Sequence, residues 1–275
     1  MNMNILVTLN SGYIDVLCVM LKSLLISNPD TTFDVYVMNS SLTDGDFEKV
    51  KTYLHNHKRV ILQDIKIHPG KLADAPTTLG YPIEMYYRIF AAEFLPESID
   101  RILYLDPDLV VLKPLDRLYN IDMENYFFAA ASHVGKVLND INDFRLNGDD
   151  YSIYINSGIM MMNLELLRRE QDRKQVFEYI ENNKERLILP DQDVISAIYG
   201  SKILKINPFL YNMSDRLLLH PSFENGLLPL ITVNWVKEHC VIVHYFGKNK
   251  PWKETYIGFL GKFYEEISAA PVPEE

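Results

Sequence analysis

The chain has 275 residues, 48% of them hydrophobic and 23% charged, and a formal net charge of −10. That is enough apolar material for a substantial core in one large domain, and the acidic balance argues against a nucleic-acid backbone as partner, which would need clustered Lys and Arg. No stretch reaches the roughly 18 consecutive apolar residues of a spanning helix, and the N-terminus lacks a basic leader, so a cytoplasmic protein is expected, with peripheral attachment to the inner face of the membrane left open.

The apolar run 4–9, "NILVTL", reads as a strand ending in the turn-like "NSGY", and 14–29 as a buried helix stopped by Pro29. A second strand follows at 33–40, then a helix from Thr43 or Asp44, a strand at 60–67, a helix over 83–96 ("IEMYYRIFAAEFLP") and the strand "RILYLD" at 101–106. Such alternation implies a mainly parallel sheet with covered faces, which binds ligands beyond the carboxyl ends of its strands. Asp106 stands at one such end.

Further along, 126–132 reads as a strand and the Asn/Asp-rich 138–152 as a solvated loop whose spacing does not fit a calcium loop. "INSGIMMMNL" returns to a strand in which Met160, Met161 and Met162 are core, 164–185 reads as one charged helix, and "PDQD" places Asp191 or a neighbour to cap a helix ended by Gly200. The only two cysteines, Cys18 and Cys240, lie in apolar surroundings without metal spacing and are expected to be buried thiols in a reducing compartment. A single domain over 1–265 is expected, with 266–275 a short acidic tail.

"RILYLDPDLVVLKPL" breaks an apolar run with two carboxylates and a proline. In extended chain, residues i and i+2 project to one side, and Pro107 biases Asp106 toward that conformation. Asp106 and Asp108 could therefore converge, and their repulsion is relieved by a hard divalent ion; a plain polar turn is the competing account. In "CVIVHYFGKNKPW" His244 sits inside an apolar run, as a core residue or a ligand, ahead of a loop with Gly247, Lys248 and Lys250 suited to phosphate charge.

The order of these segments resembles glycosyltransferase family 8, which includes bacterial lipopolysaccharide galactosyltransferases, general stress protein A and glycogenin. The similarity runs through the N-terminal strand with "GY", "YYRIFAAEFLP", "RILYLDPDLVV", "INSGIMMMNL", "PDQDVIS" and "HYFGKNKPW". It implies an α/β GT-A fold with a Rossmann-like mixed, mainly parallel sheet flanked by helices. It also implies transfer with retention of a hexose, glucose or galactose, from UDP-glucose or UDP-galactose to a glycan, lipid-linked glycan or other hydroxyl acceptor, with Mn²⁺, or Mg²⁺ in its place. By position, Asp106, Asp108 and His244 would hold the metal. Arg88, Asn156, Asp191 and Gln192 would face the sugar, Thr8, Asn10 and Tyr13 the nucleotide, and Gly247 and Lys250 the diphosphate.

Two departures bear on the uridine contacts and the sugar preference. "NSGY" stands where many members have a "DDNY"-like stretch, and His133 where Asp is frequent. A nucleotidyltransferase would need a Gly/Lys/Arg-rich loop after the first strand, absent from "LNSGYIDVL", and Val110 replaces the Thr of a DxDxT phosphatase. A non-catalytic nucleotide-sugar-binding protein is the remaining alternative. Acceptor contacts are expected from loops 70–82 and 209–230.

Overall fold

A computed structural model describes residues 1–68, 86–132, 145–146, 153–219 and 231–274. The expected loops at 70–82 and 138–152, apart from Arg145 and Leu146, and His133 lie outside these residues, as does 220–230 of the second acceptor loop.

The chain opens with β1 (Asn2–Thr8), α1 (Ile14–Ser27), β2 (Thr32–Asn39), α2 (Asp44–Tyr53) and β3 (Val60–Lys66). After α3 (Ala91–Phe94) come β4 (Arg101–Leu105), β5 (Leu109–Val111), α4 (Asp116–Tyr119), β6 (Phe128–Ala131) and β7 (Ile159–Asn163). The remainder comprises α5 (Leu164–Glu170), α6 (Arg173–Asn183), α7 (Pro190–Tyr199), β8 (Ile203–Ile206), α8 (Pro208–Tyr211), α9 (Asp215–Leu219), α10 (Val233–His239), β9 (Ile242–His244) and α11 (Gly261–Ala269). Seven strands form a sheet in the order β3-β2-β1-β4-β7-β6-β8, and β5 pairs with β9 in a sheet of two. β3, β2, β1 and β4 run parallel, whereas β7 is antiparallel to both β4 and β6. The expected mixed, mainly parallel sheet flanked by helices is present.

Period-two alternation divides the core. Ile5, Val7, Leu103, Leu105, Ile159 and Met161 face one apolar cluster, shared with α1, while Leu6, Ile102, Tyr104, Met160 and Met162 face the other, shared with α7. Both faces of the central strands are therefore dry, which accounts for their near-continuous apolar sequences. Cys18 and Cys240 are buried free thiols.

Three expectations on helices are corrected. The described part of 83–96 is a run of turns from Tyr86 to Phe90 followed by a single helical turn, held by the i→i+3 bonds Ile89 N to Tyr86 O and Glu93 N to Phe90 O, both 3.0 Å. Tyr86, Tyr87, Ile89 and Phe90 are all buried, so this segment has no exposed face to give an amphipathic helix. The charged stretch 164–185 splits at Gln171, because Asp172 accepts from Lys174 N and Gln175 N and so caps a new helix. Helix α7 is not capped by Asp191: Asp193, one turn inside, accepts from the backbone N–H groups of Ile188 (2.7 Å) and Leu189 (3.1 Å). At the C-terminus, α11 crosses the expected boundary at 265, with Ile267 buried and Lys22 Nζ donating to the carbonyls of Ser268 and Ala270, both at 2.9 Å. No helix among the described residues is long and apolar enough to cross a membrane.

Candidate active site

The tripeptide Asp106-Pro107-Asp108 is where the chain changes sheets. Asp106 N donates to Gly158 O (2.8 Å), the last rung of the β4–β7 ladder, whereas Asp108 O accepts from Tyr245 N (2.9 Å), the first rung of β5–β9. Pro107, which has no N–H to offer either ladder, occupies the step between them. The antiparallel register sets Leu109 opposite His244, so the histidine at the end of β9 faces the carboxylates delivered by β4 and β5.

Asp106, Asp108 and His244 each offer one ligand atom, all within 4.8 Å of one another. His244 Nε2 stands 3.2 Å from Asp108 Oδ1 and 3.7 Å from Asp106 Oδ2. The outer oxygens are engaged: Tyr104 Oη donates to Asp106 Oδ1 at 2.5 Å, and Lys250 Nζ bonds Asp108 Oδ2 and Tyr245 O. Burial, partly opposed by Arg88, holds the Tyr104 hydroxyl well above its ordinary pKa, so it stays a donor. Burial alone would raise Asp108, but the His244 hydrogen bond and charge, followed by Lys250, bring it down from 3.8 to about 2. The space over the ligand atoms is kept open by Gly158, where a Cβ would lie 2.7 Å from Asp106 Oδ2 and 2.9 Å from His244 Nε2. Two carboxylates and an imidazole around such an opening fit a divalent cation.

Beside this cluster, Arg88 Nη1 bridges Asp106 Oδ1 (3.2 Å) and Asp191 Oδ2 (3.1 Å), and its guanidinium lies 4.5 Å from the centre of the Tyr104 ring. Ser157 Oγ donates to Asp191 Oδ2 at 2.9 Å. Burial raises the Asp191 carboxyl, opposed by Arg88 and the Ser157 hydroxyl. Asn156 Nδ2 reaches Gln192 Oε1 at 3.4 Å. Pro190 at the helix start turns Asp191 and Gln192 into the body, and both are buried. Thr8 Oγ1, at the end of β1, meets Tyr104 Oη (2.9 Å) and Arg88 Nη2 (3.5 Å), so this residue joins the charged cluster.

Asn10 and Tyr13 lie on the exposed turn after β1. Asn10 Oδ1 accepts from Gly12 N (3.0 Å), and Tyr13 meets Trp252 edge-on with ring centres 6.4 Å apart, placing this turn against the loop that carries Lys250. Gly247 starts that loop at φ 83°, a left-handed conformation suited to glycine.

With this geometry in place, the family model for glycosyl transferase family 8 matches residues 4–256. The chain belongs to glycosyl transferase family 8. It is 26% identical over 270 residues to the lipopolysaccharide 1,2-glucosyltransferase of Escherichia coli (strain K12), covering 96% of this chain and 76% of that one. It is 31% identical over 173 residues to general stress protein A of Bacillus subtilis (strain 168), covering 62% of this chain and 59% of that one. The crystal structure of the galactosyltransferase LgtC in complex with donor and acceptor sugar analogs superposes with a TM-score of 0.79, at 21% identity and with 99% and 98% of the two chains covered. This likeness establishes the GT-A fold, and membership of the family makes the chain a glycosyltransferase.

The candidate site also contains residues that are not among the expected site residues. Tyr104 holds Asp106, Ser157 holds Asp191, and Asn212 Oδ1 accepts from His244 Nδ1 at 2.9 Å. Tyr104 was legible as the inward residue two before Asp106 in an extended strand. Asn212 follows α8 without any periodic signal. Gly158, within "INSGIMMMNL", carries no signal in the sequence beyond leading into a strand.

Proposed function

We propose that this enzyme transfers glucose or galactose from a UDP-sugar to a hydroxyl of a glycan or lipopolysaccharide-type acceptor, with a divalent metal, Mn²⁺ or Mg²⁺, and with retention of configuration. The observation that carries this reading is the convergence of Asp106, Asp108 and His244 on one opening, with Arg88, Asp191, Asn156 and Gln192 beside it. A cation held by those three ligands would supply Lewis-acid charge for a departing diphosphate.

The chain's own groups do the rest. Lys250, on a flexible stem beside Asp108, adds a second positive charge for the phosphates. Asn10 and Tyr13, on the turn facing the Trp252 loop, serve the nucleotide, and Gly247 lets the backbone approach the diphosphate. Arg88 is fixed between two carboxylates and so orients the sugar without side-chain search. Asp191 accepts from sugar hydroxyls, while Asn156 turns the Gln192 amide toward the reacting carbon. Retention is supported by the state of the carboxylates. Asp191 Oδ2 is engaged by Arg88 and Ser157 and its other oxygen is given to the donor sugar's hydroxyls, and Asp193 is engaged by Arg145, Tyr154 and two backbone N–H groups, so neither is assigned as the base that an inverting attack requires. In attack from the leaving-group face, the acceptor's proton passes to the departing phosphate oxygen. The buried thiols of Cys18 and Cys240 suit a reducing compartment and hence cytoplasmic action.

The test is a screen of nucleotide sugars with Mn²⁺, reading release of free nucleoside diphosphate with and without glycan acceptors, followed by NMR of the product linkage. Release from UDP-glucose or UDP-galactose and an α-linked product are expected. Turnover of other nucleotides alone, or an inverted product, would overturn the donor or the retaining assignment respectively.

A further inference from the structure

Asn212 is fully buried, on the segment that pairs with β9 through Met213 N to Ile242 O (3.0 Å) and His244 N to Met213 O (2.7 Å). Its amide stands between the metal-ligand cluster and the sugar-facing amides. Asn212 Oδ1 is 2.9 Å from His244 Nδ1, and Asn212 Nδ2 donates to Asn156 Oδ1 at 2.9 Å. Asn156 Oδ1 also accepts from Gly158 N at 3.3 Å, and Asn156 Nδ2 donates to Gln192 Oε1 at 3.4 Å.

The direction of this ladder is set by one group that cannot be reversed. A backbone N–H is only ever a donor, so Gly158 N requires the oxygen of Asn156 to face it. That oxygen then requires a donor from Asn212, which must present Nδ2. Asn212 is left with Oδ1 toward His244, so Nδ1 must carry a hydrogen, and Nε2, which stands 3.2 Å from Asp108 Oδ1 and 3.7 Å from Asp106 Oδ2, is the nitrogen left to bind a metal in place of its own hydrogen.

We propose that Asn212 is a positioning residue with two separable roles: its oxygen selects Nε2 of His244 as the metal-binding nitrogen, and its NH₂ group sets the orientation of Asn156 and, through it, Gln192. The proposal rests on reading Asp106, Asp108 and His244 as the metal site. The two halves of the amide can be removed separately. Asn212→Leu, close in volume, removes both. Asn212→Asp keeps an acceptor for Nδ1–H but sets an oxygen against Asn156 Oδ1; turning the Asn156 amide over to relieve this would forfeit the bond from Gly158 N.

The first experiment uses metal-free wild-type protein, with the His244 ring resonances assigned by their loss in His244→Gln. Long-range ¹H–¹⁵N correlation should show a hydrogen on Nδ1, whether or not Nε2 also carries one toward Asp108; an Nδ1 without a hydrogen would overturn the proposal. The second measures Mn²⁺ binding by electron paramagnetic resonance, with thermal melts in chelator as the folding control. Asn212→Leu should lose about 10- to 100-fold in Mn²⁺ affinity, the usual effect of removing a ligand's hydrogen-bond partner. Asn212→Asp should stay within about threefold of wild type for Mn²⁺, yet lose about tenfold in kcat for hydrolysis of UDP-glucose or UDP-galactose with little change in KM.

Wild-type Mn²⁺ affinity in Asn212→Leu with an unchanged ring tautomer would refute the first role, and undiminished kcat in Asn212→Asp the second. Should Asn212→Leu not fold, the wild-type tautomer and Asn212→Asp still decide. A wild type that binds no Mn²⁺ would instead remove the metal-site reading, an outcome distinct from failure of the tautomer assignment.

Discussion

Replacing Gly158 by Ala adds one methyl group at the point where the two sheets meet, and the structure specifies what it would strike. Ordinary contact at a Cβ begins near 3.4 Å, whereas this one would lie 2.7 Å from Asp106 Oδ2 and 2.9 Å from His244 Nε2, with Cε1 of the same ring closer still. The carboxylate oxygen would have to retreat by about 0.7 Å and the ring nitrogen by about 0.5 Å, against a tolerance of about 0.2 Å in metal–ligand distances. Neither group can yield easily, since Asp106 Oδ1 is held by Tyr104 and His244 Nδ1 by Asn212. Moving two direct ligands should exceed the effect of disturbing a supporting hydrogen bond, so a loss of at least about 100-fold in Mn²⁺ affinity is expected. Overpacking should lower folding stability by about 1–3 kcal/mol. The assay is an electron paramagnetic resonance titration of Mn²⁺ beside urea denaturation in chelator. Gly45→Ala is the control, since its Cβ would meet only Thr43 Oγ1 at an ordinary 3.6 Å. A folded Gly158→Ala protein with wild-type Mn²⁺ affinity would refute the assignment of these ligands.

Gln192→Ala should lower kcat by about 10- to 100-fold while UDP affinity stays within about twofold, because the contact strengthens mainly in the transition state; an equal loss in UDP binding measured by calorimetry would place Gln192 on the nucleotide instead. Asp193→Ala should cost about 3 kcal/mol in urea denaturation, because it removes a buried acceptor shared by Arg145, Tyr154 and two backbone N–H groups; a change below about 1 kcal/mol would show that the buried carboxylate is not an anchor. For Asp108, the folded pKa of about 2 lies below the ordinary 3.8, so its contribution is present above pH 3.8 and is lost as pH falls through about 2. Metal-free wild type should therefore lose about 2 kcal/mol more than Asp108→Asn across that interval, and parallel pH–stability curves for the two proteins would contradict this.

How far the sequence discloses this molecule depends on whether a feature has a local signal. Alternating apolar strands and capped helices do, so the sheet was legible, down to the three methionines that divide between its two faces. The two aspartates were legible because a proline between carboxylates contradicts a buried strand, and His244 because it interrupts an apolar run. The antiparallel entry of β7 leaves no such mark, since a central strand is apolar in either direction. The segment around Arg88 misled for a related reason: an apolar stretch buried on every side has the composition of a helix without its hydrogen bonding. Asn212 is a case of a different kind. Its partners, His244 and Asn156, are 32 and 56 positions away, and only the folded register of its segment against β9 gives that amide a meaning.

The charges of the site lead to a prediction about binding order. Asp106, Asp108 and Asp191 bring three negative charges, and Arg88 and Lys250 two positive ones, into a largely buried cluster. These five groups therefore present a net charge of about −1 to a nucleotide sugar that carries about −2, at distances where screening is weak. A divalent ion held by Asp106, Asp108 and His244 reverses that sign to about +1. Donor binding should accordingly depend on metal already at the site, whereas metal binding should need no donor. In calorimetry, UDP should bind at least about 100-fold more weakly in chelator than in Mn²⁺, Ca²⁺ should restore binding less well than Mn²⁺, and Asp108→Asn should narrow the gap by weakening the metal-dependent state and relieving repulsion in the metal-free one. Equal UDP affinity with and without metal would mean that Arg88 and Lys250 suffice to offset the carboxylates, and the electrostatic account would have to be abandoned.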